Sequence, residues 1–264
     1  MPDANTEYLF YQSLIGAWPL TVERAQQYML KAVREAKQQT TWVVNNKPFE
    51  DALCRYVASV LSNPLFVNKL EQFVEKVKHA GRVNSLAQTL MKSTAPGVPD
   101  LYQGGELWDL SLVDPDNRRP VDYALRRQLL SEIRTFTGDE RAAQVMARAD
   151  EGLPKLWTIH HALQLRRQKP EWFSEDAAYT PLQVDGAKSE HVVAYLRGDS
   201  VVTIVPRLTV KLGGAWQDTA ITLPPGSWRN CLTDATSMGG TVAIRMLLKD
   251  FPVALLVREE TQNA

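Results

Sequence analysis

Carboxylates, an aromatic ring and guanidinium groups crowd one short segment of this chain. Glu106, Trp108 and Asp109 follow the Gly104-Gly105 pair, and the nine positions from Asp114 to Asp122 hold five charged residues and Asn117. Glu106 and Asp109 are a candidate acid/base pair, but no partner motif supports catalysis, and roles as hydroxyl acceptors or loop anchors fit them better. Aromatic faces stack on the C–H faces of pyranose rings, while Asp, Asn and Arg take the hydroxyls, so the mixture suits a sugar site. A plainer reading stands beside it, in which the loop is braced by its own Asp–Arg pairs and Trp108 sits in the core. Composition alone favours the braced loop, because structural ion pairs outnumber those in sites. Arg119 pairs with Asp122 on one reading and reaches a ligand on the other.

The elements that must position this segment change period along the chain. From about Val22 to Phe136 apolar residues recur at helical spacing. Val22, Ala25, Met29, Val33 and Ala36 form one stripe, and Leu53, Tyr56, Val57, Val60 and Leu61 a second. Phe66, Leu70, Phe73, Val74 and Val77 form a third, with Val83, Leu86, Ala87 and Leu90 a fourth beyond the break expected at Gly81. Leu125, Leu129, Ile133 and Phe136 predict a fifth helix, and Leu156, Ile159, His160 and Leu163 a sixth. Pro96 to Gln103 reads as a strand, Val98–Gln103, that runs into the charged loop. One short strand is unstable alone, so its neighbours are expected elsewhere. After Tyr179, short runs predict strands at His191–Arg197, Ser200–Pro206, Leu208–Leu212, Thr219–Leu223, Trp228–Leu232, Val242–Leu247 and Val253–Arg258. Turns at Gly198-Asp199, Gly213-Gly214, Pro224-Pro225-Gly226 and Gly239-Gly240 separate several of them, as in a sandwich or barrel.

Composition sets bounds on what such a chain does. With 264 residues, 44% of them apolar and 23% charged, one large or two smaller globular domains are expected. Lys plus Arg and Asp plus Glu number 30 each, so no basic excess points to nucleic acid. The charge is unevenly spread: residues 22–92 carry +5 and residues 93–150 carry −3. Cys54 and Cys231 lack metal-ligand or redox spacing and read as small apolar core residues. The first residues show no basic region leading into an apolar stretch, and no segment approaches a membrane span, so a cytoplasmic location is expected.

The same residues carry a family resemblance. The run from Val98-Pro99-Asp100-Leu101-Tyr102-Gln103-Gly104 through Asp114-Pro115-Asp116-Asn117-Arg118-Arg119-Pro120-Val121-Asp122 resembles the maltooligosyltrehalose synthase family of the alpha-amylase superfamily. Asn5 to Gln12 with Gly16-Ala17-Trp18-Pro19, Lys31 to Lys37 followed by Thr41-Trp42, and Phe251-Pro252-Val253-Ala254-Leu255-Leu256 agree with it, so the similarity spans nearly the whole chain. Gly105 departs from the family's expected Thr.

The resemblance implies a multidomain α and β protein. A helical insertion and the last strand and helix of a (β/α)8 barrel would fill residues 1–172, and an antiparallel β-sandwich residues 173–264. It implies conversion of the reducing-end α-1,4 linkage of maltooligosaccharides into an α,α-1,1 trehalose linkage by intramolecular transglycosylation. It places the three catalytic carboxylates of the superfamily upstream of Met1, itself read as a cloning or misannotated start. No catalytic residue, cofactor or metal ligand is therefore expected here. Tyr102, Glu106, Trp108, Asp109, Asp114, Asn117 and Arg118 become substrate-binding candidates, since sites of this fold are built at the C-terminal ends of barrel strands. The implied partners are the maltooligosaccharide and the missing N-terminal part of the barrel. Alternatives are a stand-alone glucan-binding module and a piece of an ordinary hydrolase; the Asp114–Asp122 run argues against the latter. Arg34, Lys37 and Trp42 read as a solvated helix face with a core Trp, and the adjacent His160 and His161 resemble no metal site.

Overall fold

The computed structural model describes residues 2–259, which form two compact units. One comprises the chain up to Lys78 together with Asp109–Val121. It holds α1 (Ala4–Ala17), α2 (Val22–Ala36), α3 (Lys47–Leu61) and the start of α4 (Pro64–Thr94). Side chains of Asp3, Thr21 and Asn46 accept hydrogen bonds from the first free amides of α1, α2 and α3, which starts each helix where it starts. The α2 stripe of Ala25, Met29 and Val33 is buried with Phe10 and Leu14 of α1 and Leu53 and Val57 of α3. Helix α1 escapes the periodicity because Tyr8, Leu9, Phe10, Tyr11, Leu14 and Ile15 spread around its circumference. Gly81 does not break α4, whose 31 residues run on as a single helix. A mid-helix Gly costs only about 1 kcal/mol against Ala, and burial of Val83, Leu86 and Leu90 just beyond it outweighs that.

The other unit comprises His79–Trp108 and the chain from Asp122 onward. It holds the end of α4, α5 (Tyr123–Ile133), α6 (Arg141–Ala147), α7 (Leu153–Gln168) and an antiparallel sheet. The strands are β1 (Tyr179–Pro181), β2 (Val184–Asp185), β3 (Val192–Arg197), β4 (Val201–Pro206), β5 (Ala220–Asn230), β6 (Thr236–Ala243) and β7 (Ala254–Arg258). Their order is β1-β3-β4-β7-β5-β2, with β6 also paired to β5, so all seven belong to one hydrogen-bonded sheet. Two short helices, α8 (Thr209–Leu212) and α9 (Ile244–Leu247), interrupt the strands.

Strand β4 shows why the sheet needs two cores. Val201 and Val205 pack with Leu90, Leu129 and Trp157 of the helices, while Val202 and Ile204 pack with Ile221, Trp228 and Leu256. Side chains alternate across a strand, so a strand covered on both faces must be apolar on both, and all six residues of β4 are buried.

Several expected strands take another form. Residues 98–103 form turns and irregular loop, with Val98 94% exposed. No described strand pairs with them, and the carbonyls at their two ends find arginine side chains: Arg166 donates to the Gly97 carbonyl at 3.0 Å and Arg126 to that of Gly104 at 2.7 Å. Leu208–Leu212, read as a strand, is the helix α8, entered through Leu208 at φ 52°. Val242–Leu247 divides between the end of β6 and α9.

Thr219–Leu223 and Trp228–Leu232 are joined as β5, because Pro224-Pro225-Gly226 forms a bulge rather than a turn. Pairing steps from Leu223–Gly240 to Ser227–Met238, so three residues face Gly239 alone. The two prolines have no amide to give the ladder, and the extra residues loop out. A Cβ on Gly239 would lie 2.3 Å from the Pro224 carbonyl oxygen and 2.7 Å from Pro225 Cα. Gly239→Ala is accordingly expected to cost about 1–3 kcal/mol in a urea melt; wild-type stability would mean the bulge can slide.

Candidate functional site

In the sheet-bearing unit, Glu106 is held by Arg126 of α5, with Nε donating to Oε2 at 2.8 Å. Asp122 fixes that arginine's helix by accepting from the Leu125 amide at 2.9 Å. The Trp108 ring packs against the helical core, and its Nε1 donates to the Ala149 carbonyl at 2.5 Å. The Arg82 guanidinium lies over the ring at 5.6 Å and pairs with Asp150 at 2.7 Å. Gly152, at φ 81°, lets the backbone approach this point, where a Cβ would meet the Trp108 amide nitrogen at 2.8 Å. Trp108→Ala is thus expected to lower stability by about 2 kcal/mol in thermal or urea melts. An unchanged melt would free the ring for stacking alone. Tyr102 is half exposed, and its carbonyl accepts from the Gly105 amide at 2.9 Å.

In the helical unit, the loop Asp109–Val121 is anchored by a residue that the sequence reading did not single out. Arg24 on α2 grips both oxygens of Asp116, Nε to Oδ1 and Nη2 to Oδ2, each at 2.9 Å. It also donates to the Leu110 carbonyl at 3.0 Å. Asp116 further accepts from the Leu112 amide at 2.7 Å, and Arg24 holds its carboxyl below the usual carboxylate range. Arg119 binds the Asp116 carbonyl and the Ser111 hydroxyl, at 3.0 and 3.1 Å, while Asp122 serves as the α5 cap. Asp109 accepts from the Ser111 amide at 2.9 Å. Nothing in the sequence marks Arg24, which is one of several charges on an amphipathic helix 92 positions before its partner.

Held on that anchor are Asp114, Asn117 and Arg118. Arg118 forms an ion pair with Asp114 and keeps its own side chain 70% exposed. The Oδ1 atom of Asn117 is buried and accepts no hydrogen bond among the described residues, whereas that of Asp114 faces the Arg118 Nε. A buried acceptor without a donor costs about 1–3 kcal/mol, so this turn has capacity for hydroxyl or amide donors.

The remaining candidates divide. Trp42, expected in the core, is 52% exposed, and Arg34 beside it binds the buried Glu50. His161 stacks edge-on against Trp157, and burial pulls its pKa down to about 4. Cys231 is buried, which pushes its thiol up to about 11. Among the described residues no group of three or more His, Cys, Asp or Glu is placed to hold a metal ion, and no helix is long and apolar enough to cross a membrane.

Comparison with known proteins places this arrangement. No protein-family model matches the chain. A Mycobacterium tuberculosis protein that carries the name maltooligosyl trehalose synthase is 40% identical over 266 aligned residues, covering 98% of this chain and 32% of that protein. The structure of maltooligosyltrehalose synthase from Arthrobacter ramosus matches with a TM-score of 0.85 and 39% identity, covering 96% of this chain and 32% of that one. A Sulfolobus tokodaii structure named as a hypothetical maltooligosyl trehalose synthase matches with a TM-score of 0.74 and 29% identity, over 97% of this chain and 32% of that one. The chain spans about one third of the length of the relatives it matches. In sequence and in its mixed helical and antiparallel-sheet fold, it is similar throughout to the C-terminal third of maltooligosyltrehalose synthase.

Proposed function

We propose that this chain forms the acceptor-side wall of a glycosyltrehalose-forming enzyme and leaves bond cleavage to carboxylates on another segment. Residues 1–172 would supply the helical insertion and last helix of a (β/α)8 barrel, in which residues 98–103, irregular here, would take the place of the last strand, and the antiparallel sheet within residues 173–264 would be the superfamily's C-terminal β-domain. The substrate would be a maltooligosaccharide. A carboxylate on the other segment would bond the anomeric carbon of the penultimate sugar as the reducing-end glucose leaves; that glucose turns in place and its C1 hydroxyl attacks the glycosyl-enzyme, freeing the carboxylate and giving an α,α-1,1 linkage. Such a reaction needs a wall that grips a free glucose and keeps water away.

The anchored loop is the observation that carries this reading. Arg24 and Asp116 fix its backbone, so the unpartnered Asn117 oxygen and the Asp114–Arg118 ion pair are held in a preset arrangement. The test is reconstitution with the N-terminal two thirds of the Arthrobacter enzyme, followed by chromatography for non-reducing product from maltohexaose. Product is expected from the mixture. A stable complex that makes none would remove the proposal. Within the reconstituted enzyme, Arg24→Ala is expected to lower turnover about tenfold or more by loosening the loop, while the helical unit stays folded by circular dichroism. Unchanged turnover would show that the loop holds its shape without this anchor.

A further inference from the structure

We infer that Trp42 is a stacking platform for one glucose ring of an α-glucan, so that the exposed loop at residues 41–46 forms a second carbohydrate subsite. Trp157 and Trp228, by contrast, are 2% and 0% exposed, against 52% for Trp42. Exposed side chains ordinarily keep their rotamer freedom, yet this ring is fixed at two points. Its Nε1 donates to Glu35 at 3.0 Å, and the Arg34 guanidinium lies 5.0 Å from the ring centroid over one face. Arg34 is itself locked, with Nε and Nη2 on the two oxygens of Glu50 at 2.9 and 2.7 Å, and Glu50 also accepts from Thr40 at 2.7 Å. The cation occupies one face and leaves the exposed ring its other.

A preset, half-exposed indole is suited to a ligand that binds by apolar face and hydroxyl rim together, because ordering the ring costs nothing at the moment of binding. The surroundings fit such a ligand. Lys37, Gln38, Gln39 and Asn45, close to Trp42 in sequence, are exposed, as are Val43 and Val44 at 91% and 72%. Lys37 sits at the end of α2 at φ 56°, where the chain turns sharply into this loop. The identity of the sugar as an α-glucan rests on the function proposed above.

The experiment follows the indole N–H signals of the 264-residue chain by NMR during titration with maltoheptaose, with Trp42→Ala assigning the relevant signal. The Trp42 signal is expected to shift saturably, Trp42→Ala to bind about tenfold more weakly, and Trp42→Phe to stay within about threefold of wild type. Thermal melts of both variants should match wild type, since the ring is outside the core. Equal binding by wild type and Trp42→Ala would overturn the inference, as would a Trp42 signal that moves only when the N-terminal two thirds of the Arthrobacter enzyme is added. The two readings fail separately. Product from the reconstituted enzyme with no Trp42-dependent sugar binding removes the platform alone, and Trp42-dependent binding without product removes the proposed reaction alone.

Discussion

Incubated with maltohexaose at high concentration, the isolated chain is expected to form no glycosyltrehalose. Retaining transfer needs a nucleophile and an acid/base about 5–5.5 Å apart across the scissile bond. Glu106 and Asp109, the two carboxylates that the sequence offers, are both committed to other work. Arg126 neutralises Glu106, and Asp109 shapes a turn by accepting from the Ser111 amide. Binding and orientation remain, but without covalent attack and protonation they cannot replace the missing steps, so the expected loss is complete rather than partial. Chromatography of long incubations is the check. Product that disappears in Glu106→Gln would put a catalytic carboxylate in this chain and end the division of labour proposed above.

The second large effect concerns Glu50, which is 4% exposed and carries the charge network of the helical unit. The Arg34 guanidinium, aided by Thr40 and Asn45, holds its pKa down to about 2 from 4.5, against the opposing pull of burial. A carboxyl with a depressed folded-state pKa stabilises fully above its unfolded value and loses that contribution as pH falls through the folded one. The window therefore runs from pH about 4.5 down to about 2, and the linkage is worth about 3 kcal/mol. Glu50→Ala strands a partly buried guanidinium and is expected to cost about 3 kcal/mol at neutral pH. Urea melts at several pH values test both statements. Wild type should lose stability across the window, whereas Glu50→Gln, already weakened at pH 7, should stay nearly flat. Parallel pH profiles would assign the acid sensitivity elsewhere.

How far the sequence reaches is a question of range. The α2 stripe, the α3 stripe and strands β3, β4 and β7 were legible because each is patterned by its own buried faces. Residues 98–103 carry strand-forming side chains, but a strand is a statement about neighbours, and among the described strands none pairs with them. Pro224-Pro225-Gly226 has the composition of a turn, but the strand continues through it as a bulge because Gly239 opposite has no side chain to object. The charged loop was visible from composition alone. Its anchor was not, since no local signal distinguishes Arg24 from Arg34, and only the fold brings one to Asp116 and the other to Glu50.

The place of β7 governs how the sheet can be made. Among the described strands it comes last in sequence, Ala254–Arg258, yet it lies between β4 and β5 and is hydrogen-bonded to both. Strands β1, β3 and β4 can zip up as they are synthesised, and β5 can pair with β6, but the two groups have no ladder in common until Arg258 leaves the ribosome. At about 5–20 residues per second, the edges of β4 and β5 wait several seconds for their common neighbour. During that interval β4, with Val201, Val202, Ile204 and Val205 in six residues, is an open edge, the kind that recruits foreign strands. A chain stopped at Phe251 should therefore be recovered as aggregate, and slowing the ribosome over the codons between β6 and β7 should lower the yield of soluble protein from an unaltered sequence.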